Sequence, residues 1–440
     1  MAFFWKKPRA SRLAGKKFLS KQNSKIELNI PMHFRCPISL DLMKDPVTLS
    51  TGITYDRESI EKWIRDGNQT CPVTNQVLTN FDKIPNHMIR RMIQDWCVAN
   101  RDQGVERIPT PRTPLTSFDI VEICSKMTVA ASKGDGKRCL DLVEKVNLWA
   151  MEGEQNKNLI KDNGLGYVLA ASFDAFSSLS YEKHEYLLRE ILFLLTWMFP
   201  LGIEGRSKLG SISSLRCMTW LLSRDDILLQ KSSVLALKEL LSADQFHVQT
   251  LIDIEGLPEA LVNLIHIPDC ISAKKSSYSV IYHILSTPIG FHKFSTRFLH
   301  LNVVETSLEA LVEGDKGLSE MALGVLDRIS DSKQGMERVQ RHALTVPLIV
   351  KKILRVSSLA TDFCVSLLWK ISHNGEGIDR NALVEAIHVG AFQKLLLMLQ
   401  VNCGEETKLK ATEMLKLMNQ YKNKLDCFDS GHYKYLRKSY

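Results

Sequence analysis

The chain has 440 residues, 45% hydrophobic and 24% charged, with 23 Gly and 14 Pro, which is a folded globular composition and excludes collagen-like, mucin-like and mostly disordered chains. The formal net charge is +8, but eight basic residues (Lys6, Lys7, Arg9, Arg12, Lys16, Lys17, Lys21 and Lys25) fall within residues 1–25, which hold no acid. The rest of the chain is balanced in charge, which argues against a body that binds nucleic acid specifically.

Residues 1–30 form a basic, Ser-containing tail, expected to be a solvated arm. Two alternatives stay open for residues 1–25. One is contact with a nuclear-import receptor; the other is a weak anionic-membrane contact through Phe3, Phe4 and Trp5 beside Lys6 and Lys7. No secretory leader or transmembrane segment is expected. The most apolar run, from Ile191 to Phe199, stops at Pro200, well short of the ~18 residues a bilayer span needs. The ten cysteines include no C-x-x-C pair and are expected to be reduced thiols. The expected location is therefore the cytoplasm, with the nucleus and a membrane periphery as alternatives.

Residues 31–103 carry mixed signals. Two Cys-Pro dipeptides, Cys36-Pro37 and Cys71-Pro72, sit in predicted loops, with a turn at Ser50-Thr51-Gly52. Asp56 is the predicted N-cap of a helix with an apolar face at Ile60, Trp63 and Ile64. A second helix is predicted from Asn86, its face being Ile89, Ile93, Trp96 and Cys97. A two-zinc domain needs eight Cys/His ligands, whereas this segment offers Cys36, Cys71, Cys97, His33 and His87. No metal and no cofactor are expected. So small a domain needs buried polar ties instead, and the candidates are Ser39, Asp41, Asp45, Thr54, Asp56, Arg57 and Asn86; the alternative for each is a solvated loop residue. Cys36 and Cys71 have no local His to activate them, so no nucleophile is assigned.

Residues 104–117 are a predicted linker, because Pro109, Pro111 and Pro114 forbid helix; Thr110-Pro111 and Thr113-Pro114 are phosphorylation candidates against an unmodified spacer. From 118 to 425 apolar residues recur at three- and four-residue spacing, as in Leu187, Leu188, Ile191, Leu192 and Leu195. Turn positions 164, 210, 256, 303, 345 and 390 follow one another at 42 to 47 residues. That is the period of armadillo and HEAT arrays, in which stacked repeats complete one core and leave an extended concave surface. About six repeats are expected, with residues 426–440 as a C-terminal tail. The alternative is a non-repeating helical domain.

Residues 118–425 resemble armadillo repeats. Import receptors of that fold place Asn four residues after each groove Trp. Here Trp149, Trp197, Trp220 and Trp369 are followed at that offset by Gly153, Leu201, Arg224 and His373, so that ladder is absent.

The stretches CPISLDLMKDPV (36–47), TGITYDR (51–57), IEKWI (60–64), TCPVT (70–74) and IPN (84–86) resemble the U-box, the zinc-free relative of the RING domain. With the repeats, the chain resembles the plant U-box/armadillo family of ubiquitin ligases. The implied fold class is mostly α: a small α+β RING-like U-box, then an α-solenoid of armadillo repeats. The implied activity is E3 ubiquitin transfer without a covalent ligase intermediate; a non-enzymatic scaffold with a weakened U-box is the alternative. The implied partners are a ubiquitin-conjugating enzyme (E2), ubiquitin and a protein substrate on the repeats, with homodimerisation left open.

Carried over by position, Ile38, Leu40, Trp63 and Pro72 match the E2-binding groove. An Ile, a Trp and a Pro presented from two loops and a helix would form a small apolar patch, as a partner site requires. Core packing is the alternative for Ile38 and Trp63. Asn75 stands where relatives usually carry the Arg or Lys that bridges E2 and ubiquitin. Asn keeps amide donors but loses charge and reach. E2 binding with slowed transfer is therefore expected, unless Asn75 bridges at shorter range.

Overall fold

The computed structural model describes residues 30–101, 105–106, 108, 115–244, 246–268, 270–313, 315–373, 380–401 and 403–422. The expected tails, except Ile30, and the Thr-Pro sites lie outside the described residues. The chain divides into two compact units, Met1–Pro114 and Leu115–Tyr440.

The first unit opens with a 3-10 turn, Met32–Phe34. Three short strands follow, β1 (Pro46–Thr48), β2 (Thr54–Asp56) and β3 (Ile84–Pro85), in the sheet order β2-β1-β3. Both pairings are antiparallel, with Val47 opposite Tyr55 on one side and Pro85 on the other. Gly52 takes φ +80° in the β1–β2 turn, a conformation only a residue without Cβ adopts freely. Helix α1 (Arg57–Arg65) leaves β2 directly, and α2 (His87–Ala99) follows β3. Phe34, Met43, Val47, Tyr55, Ile60 and Ile93 fill the core together with Cys36, Cys71 and Cys97. The predicted spacer contributes as well: Ile108 is buried and Val105 packs against the same core. This unit's core thus reaches past residue 103, because an Ile in an otherwise polar, Pro-rich stretch finds apolar surface to cover.

In the second unit the described helices begin with a pair, α3 (Ser117–Ser132) and α4 (Gly136–Met151). Six triplets follow: α5 (Glu154–Asp162), α6 (Leu165–Ser180) and α7 (Glu185–Met198); α8 (Ile203–Leu209), α9 (Ile212–Leu222) and α10 (Ile227–Ala243); α11 (Phe246–Leu251), α12 (Leu257–His266) and α13 (Ile271–Leu285); α14 (Pro288–His300), α15 (Val303–Glu313) and α16 (Lys316–Ile329); α17 (Lys333–Arg341), α18 (Thr345–Lys352) and α19 (Ser358–Ser372); α20 (Arg380–His388), α21 (Ala391–Leu399) and α22 (Glu405–Lys422). The third helices pack each on the next, α4 on α7, then α10, α13, α16, α19 and α22, as one layer. A single apolar core runs from Ile120 to Met418.

The predicted turns lie between the first and second helices of the triplets. Gly164, Gly256 and Gly390 have φ of +77°, +82° and +86° and stand as N-caps of the helices that follow, Gly164 directly after Asn163, the C-cap of α5. Gly210 has φ −84°; there the Ser211 hydroxyl accepts from Ser214 N at 3.1 Å and caps α9. Asn302, at φ +60°, supplies the left-handed residue before α15.

Candidate functional site

The site grows from two loops of matching backbone. In residues 36–41, Cys36 N donates to Asp41 O and Leu40 N to Cys36 O, each at 2.8 Å. In residues 71–76, Cys71 N donates to Gln76 O at 2.8 Å and Asn75 N to Cys71 O at 2.9 Å. Both loops turn at a left-handed residue, Leu40 at φ +62° and Asn75 at φ +56°. A Cys-Pro start fixes φ one residue into each loop, which shapes both alike.

Helix α1 bridges the loops. At its N-terminus Asp56 N donates to Cys36 Sγ at 3.3 Å. At its other end the Trp63 indole N–H donates to Thr70 O at 2.9 Å, one residue before Cys71. Helix α1 thus ties the loop that carries Ile38 and Leu40 to the loop that carries Pro72. Ile38 and Trp63 are both half-buried against the unit's core, and Pro72 is half-buried beside fully enclosed Cys71. The core reading of Trp63 and Ile38 thus holds for part of each side chain, while an edge stays solvent-facing. Leu40 is 67% exposed, and sequence reasoning passed over Val73 and Val77, which are 51% and 70% exposed. Their position in and after the second Cys-Pro loop was the available signal.

Thiols occupy the interior of both loops. Thr51 Oγ1 donates to Cys71 Sγ at 3.3 Å, and Tyr55 Oη lies 3.0 Å from the same sulfur. Val73 N donates to Tyr55 Oη at 3.3 Å, so a buried phenol ties β2 to the second loop. Burial raises the Cys71 thiol, but hydrogen bonds from Thr51, Thr74 and Tyr55 outweigh it and bring the group down to about 6. Burial, then the Cys71 contact, pushes the Tyr55 phenol up. The proton therefore stays on oxygen. Cys36 and Cys71 are both fully buried, sealed from any reacting partner. Among the described residues no group of three or more His, Cys, Asp or Glu could hold a metal ion.

The predicted polar ties divide. Asp45 accepts from Arg57 Nε at 2.7 Å and also pairs with Arg90 on α2, joining both helices to the start of β1. Arg90 escaped sequence reasoning because it looks like a solvated helix residue. Asn86 caps α2, accepting from Ile89 N at 3.0 Å, and donates to Thr48 Oγ1 and Thr54 Oγ1 at 3.2 and 3.3 Å. Asp56 stands as the N-cap of α1, as expected. Its carboxylate also accepts from Lys44 N at 2.8 Å and Asp45 N at 2.9 Å, fastening the first loop's exit, and burial raises its carboxyl. Ser39 and Asp41 are corrections. Both are exposed; Ser39 accepts only from Asp41 N, at 3.4 Å, and Asp41 contributes through its carbonyl. The arrangement leaves apolar edges of Ile38, Leu40, Trp63 and Pro72 open to solvent on two loops and one helix.

Comparison with known proteins agrees with both units. The family model for the U-box domain matches residues 30–102, and that for the plant U-box protein ARM repeat region matches residues 119–438. U-box domain-containing protein 21 of Arabidopsis thaliana is 46% identical over 417 residues, covering 94% of each chain. U-box domain-containing protein 20 of the same plant is 44% identical, over 90% of this chain and 88% of its own. The plant's E3 ubiquitin-protein ligase PUB22 is 31% identical, over 89% of this chain and 94% of its own.

Proposed function

This chain belongs to the plant U-box/armadillo-repeat protein family, and on that premise we propose that it is an E3 ubiquitin-protein ligase. The U-box binds an E2–ubiquitin thioester through Ile38, Leu40, Trp63 and Pro72, with Val73 at the rim. The armadillo repeats hold the protein substrate. Ubiquitin passes directly from the E2 cysteine to a substrate lysine: the thioester C–S bond breaks, an isopeptide bond forms, and the thiol leaves on the E2. The U-box contributes proximity and a restricted thioester pose, worth several orders of magnitude in effective concentration. The observation that carries this reading is the half-exposed Ile38–Trp63–Pro72 set, fastened by α1 to two matching loops whose thiols are buried. Action in the cytoplasm, where ubiquitin and E2 enzymes meet folded substrates, belongs to the same proposal.

The test is E2–ubiquitin discharge by the purified chain with a panel of E2 enzymes. Discharge above the E2-alone rate is expected, and Trp63→Ala or Ile38→Ala should abolish it with helicity retained by circular dichroism. Normal discharge in both variants would overturn the groove assignment. No discharge with any E2, alongside intact partner binding, would favour the scaffold reading.

A further inference from the structure

The layer of third helices carries an imbalance of charge. Lys231 and Lys238 lie on α10, Lys275 on α13 and Lys316 on α16. Lys231 and Lys238 are seven residues apart, two helical turns, and so share one face. Lys275 extends over Gly317, where any Cβ would collide with its ammonium, so it reaches the next helix beside Lys316. Lys238 acts electrostatically on His283 of α13, whose imidazole is held below its ordinary value by burial first and this ammonium second. None of the four lysines has an acidic partner or a hydrogen bond among the described residues.

Acids on the same helices are engaged elsewhere. Glu239 accepts from Leu201 N, Glu320 from the Ser357 hydroxyl, and Asp327 pairs with Lys370. Helix α13 holds no acid. Farther along the layer Lys370 pairs with Asp327 and Asp331, and Lys410 with Glu406. Lysines without an acidic partner thus stand on three consecutive third helices, α10, α13 and α16. Side by side, such helices are spaced roughly 8–10 Å apart, and an extended chain advances ~3.3 Å per residue. Every third residue of a peptide crossing them would face a new helix.

We propose that Lys231, Lys238, Lys275 and Lys316 form a recognition strip for an extended Asp/Glu-rich segment of the protein substrate. The proposal rests on the reading of the repeats as the substrate-binding unit. Charge complementarity selects the partner: the strip offers cations with no internal counter-ions, which steer and align acidic side chains.

The test measures fluorescence anisotropy of a labelled alternating Asp/Glu oligopeptide titrated with the full chain. Basic, neutral and phosphoserine-bearing oligopeptides of equal length serve as comparisons. Binding of the Asp/Glu probe, weakening as salt rises, is expected. The triple variant Lys231→Glu, Lys275→Glu, Lys316→Glu should bind at least about tenfold more weakly. The Gln triple at the same positions should fall between, and Lys293→Glu on α14 should bind as the parent does. Helicity by circular dichroism separates misfolding from lost charge, and the Gln triple keeps the test decisive if the Glu triple unfolds. No binding of the Asp/Glu probe, equal binding by a folded Gln triple, or binding confined to the phosphoserine probe overturns the proposal. E2–ubiquitin discharge by the unaltered chain is scored separately. Active discharge without acidic-probe binding sinks only the strip, whereas silent discharge sinks the ligase reading beneath it.

Discussion

Asn75 shows how backbone and chemistry compete at one position. Its φ of +56° favours Asn over longer side chains, since a short amide tolerates the left-handed region. Asn75→Arg should speed ubiquitin discharge by restoring a charged bridge, yet cost the U-box about 1 kcal/mol of stability. Paired discharge and thermal-unfolding measurements check both halves. Cys71 yields a pH prediction. Its thiol lies at about 6 against an ordinary 9.0, so the ionised form is favoured on folding. A depressed acid stabilises fully above its unfolded value, and that contribution is lost as pH falls through the folded one. The U-box unfolding midpoint should therefore rise from pH 6 to pH 9, and Cys71→Ser should flatten that slope. Sequence exposed these residues unevenly. Cys36, Trp63 and Asn86 were legible because their types are unusual in loops or caps. Tyr55 and Arg90 were not: a strand Tyr and a helix Arg look ordinary until the chain folds their polar ends onto Cys71 and Asp45. Asp56 was legible as the N-cap of α1, whereas its tie to Lys44 N was not, since a local cap and a long-range tie demand the same residue type.

Glycines govern the fit between helices as well as their turns. Gly324 on α16 has Tyr282 of α13 and Phe363 of α19 across it, with ring centroids 5.4 Å apart and edge to face. A Cβ there would sit 2.9 Å from Tyr282 and 3.0 Å from Phe363. Gly324→Leu should thus destabilise the repeats by roughly 1–3 kcal/mol through overpacking, despite the better helix propensity of Leu, as chemical unfolding would record. The element pattern was legible where backbone need and residue type coincide, as at Gly164, Gly256 and Gly390. It blurred where Asn302 or the Ser211 cap served the same turn, since those residues are equally at home in surface loops. The triplet organisation was less legible than the period, because first helices such as α11 span only six residues and give little periodic signal.

For the chain as a whole, the two units gain order by different means. The repeats rest on one long apolar core, the U-box on a small core with buried polar ties. Sulfur at Cys36 and Cys71 receives N–H and O–H donors from the surrounding chain. A chelator should leave the unfolding temperature of the intact protein unchanged, and a chelator-dependent shift would count against this account. The repeats also have a direction of dependence. Arg338 of α17 donates to Leu299 O at 2.6 Å, at the end of α14, and Lys394 of α21 donates to Val350 O at 2.6 Å and Lys351 O at 3.0 Å, near the end of α18. Each such cation closes a helix end belonging to the triplet before it. Losing a distal triplet therefore uncovers carbonyls in its predecessor, so a nonsense codon late in the reading frame would unravel more of the protein than the stretch it removes.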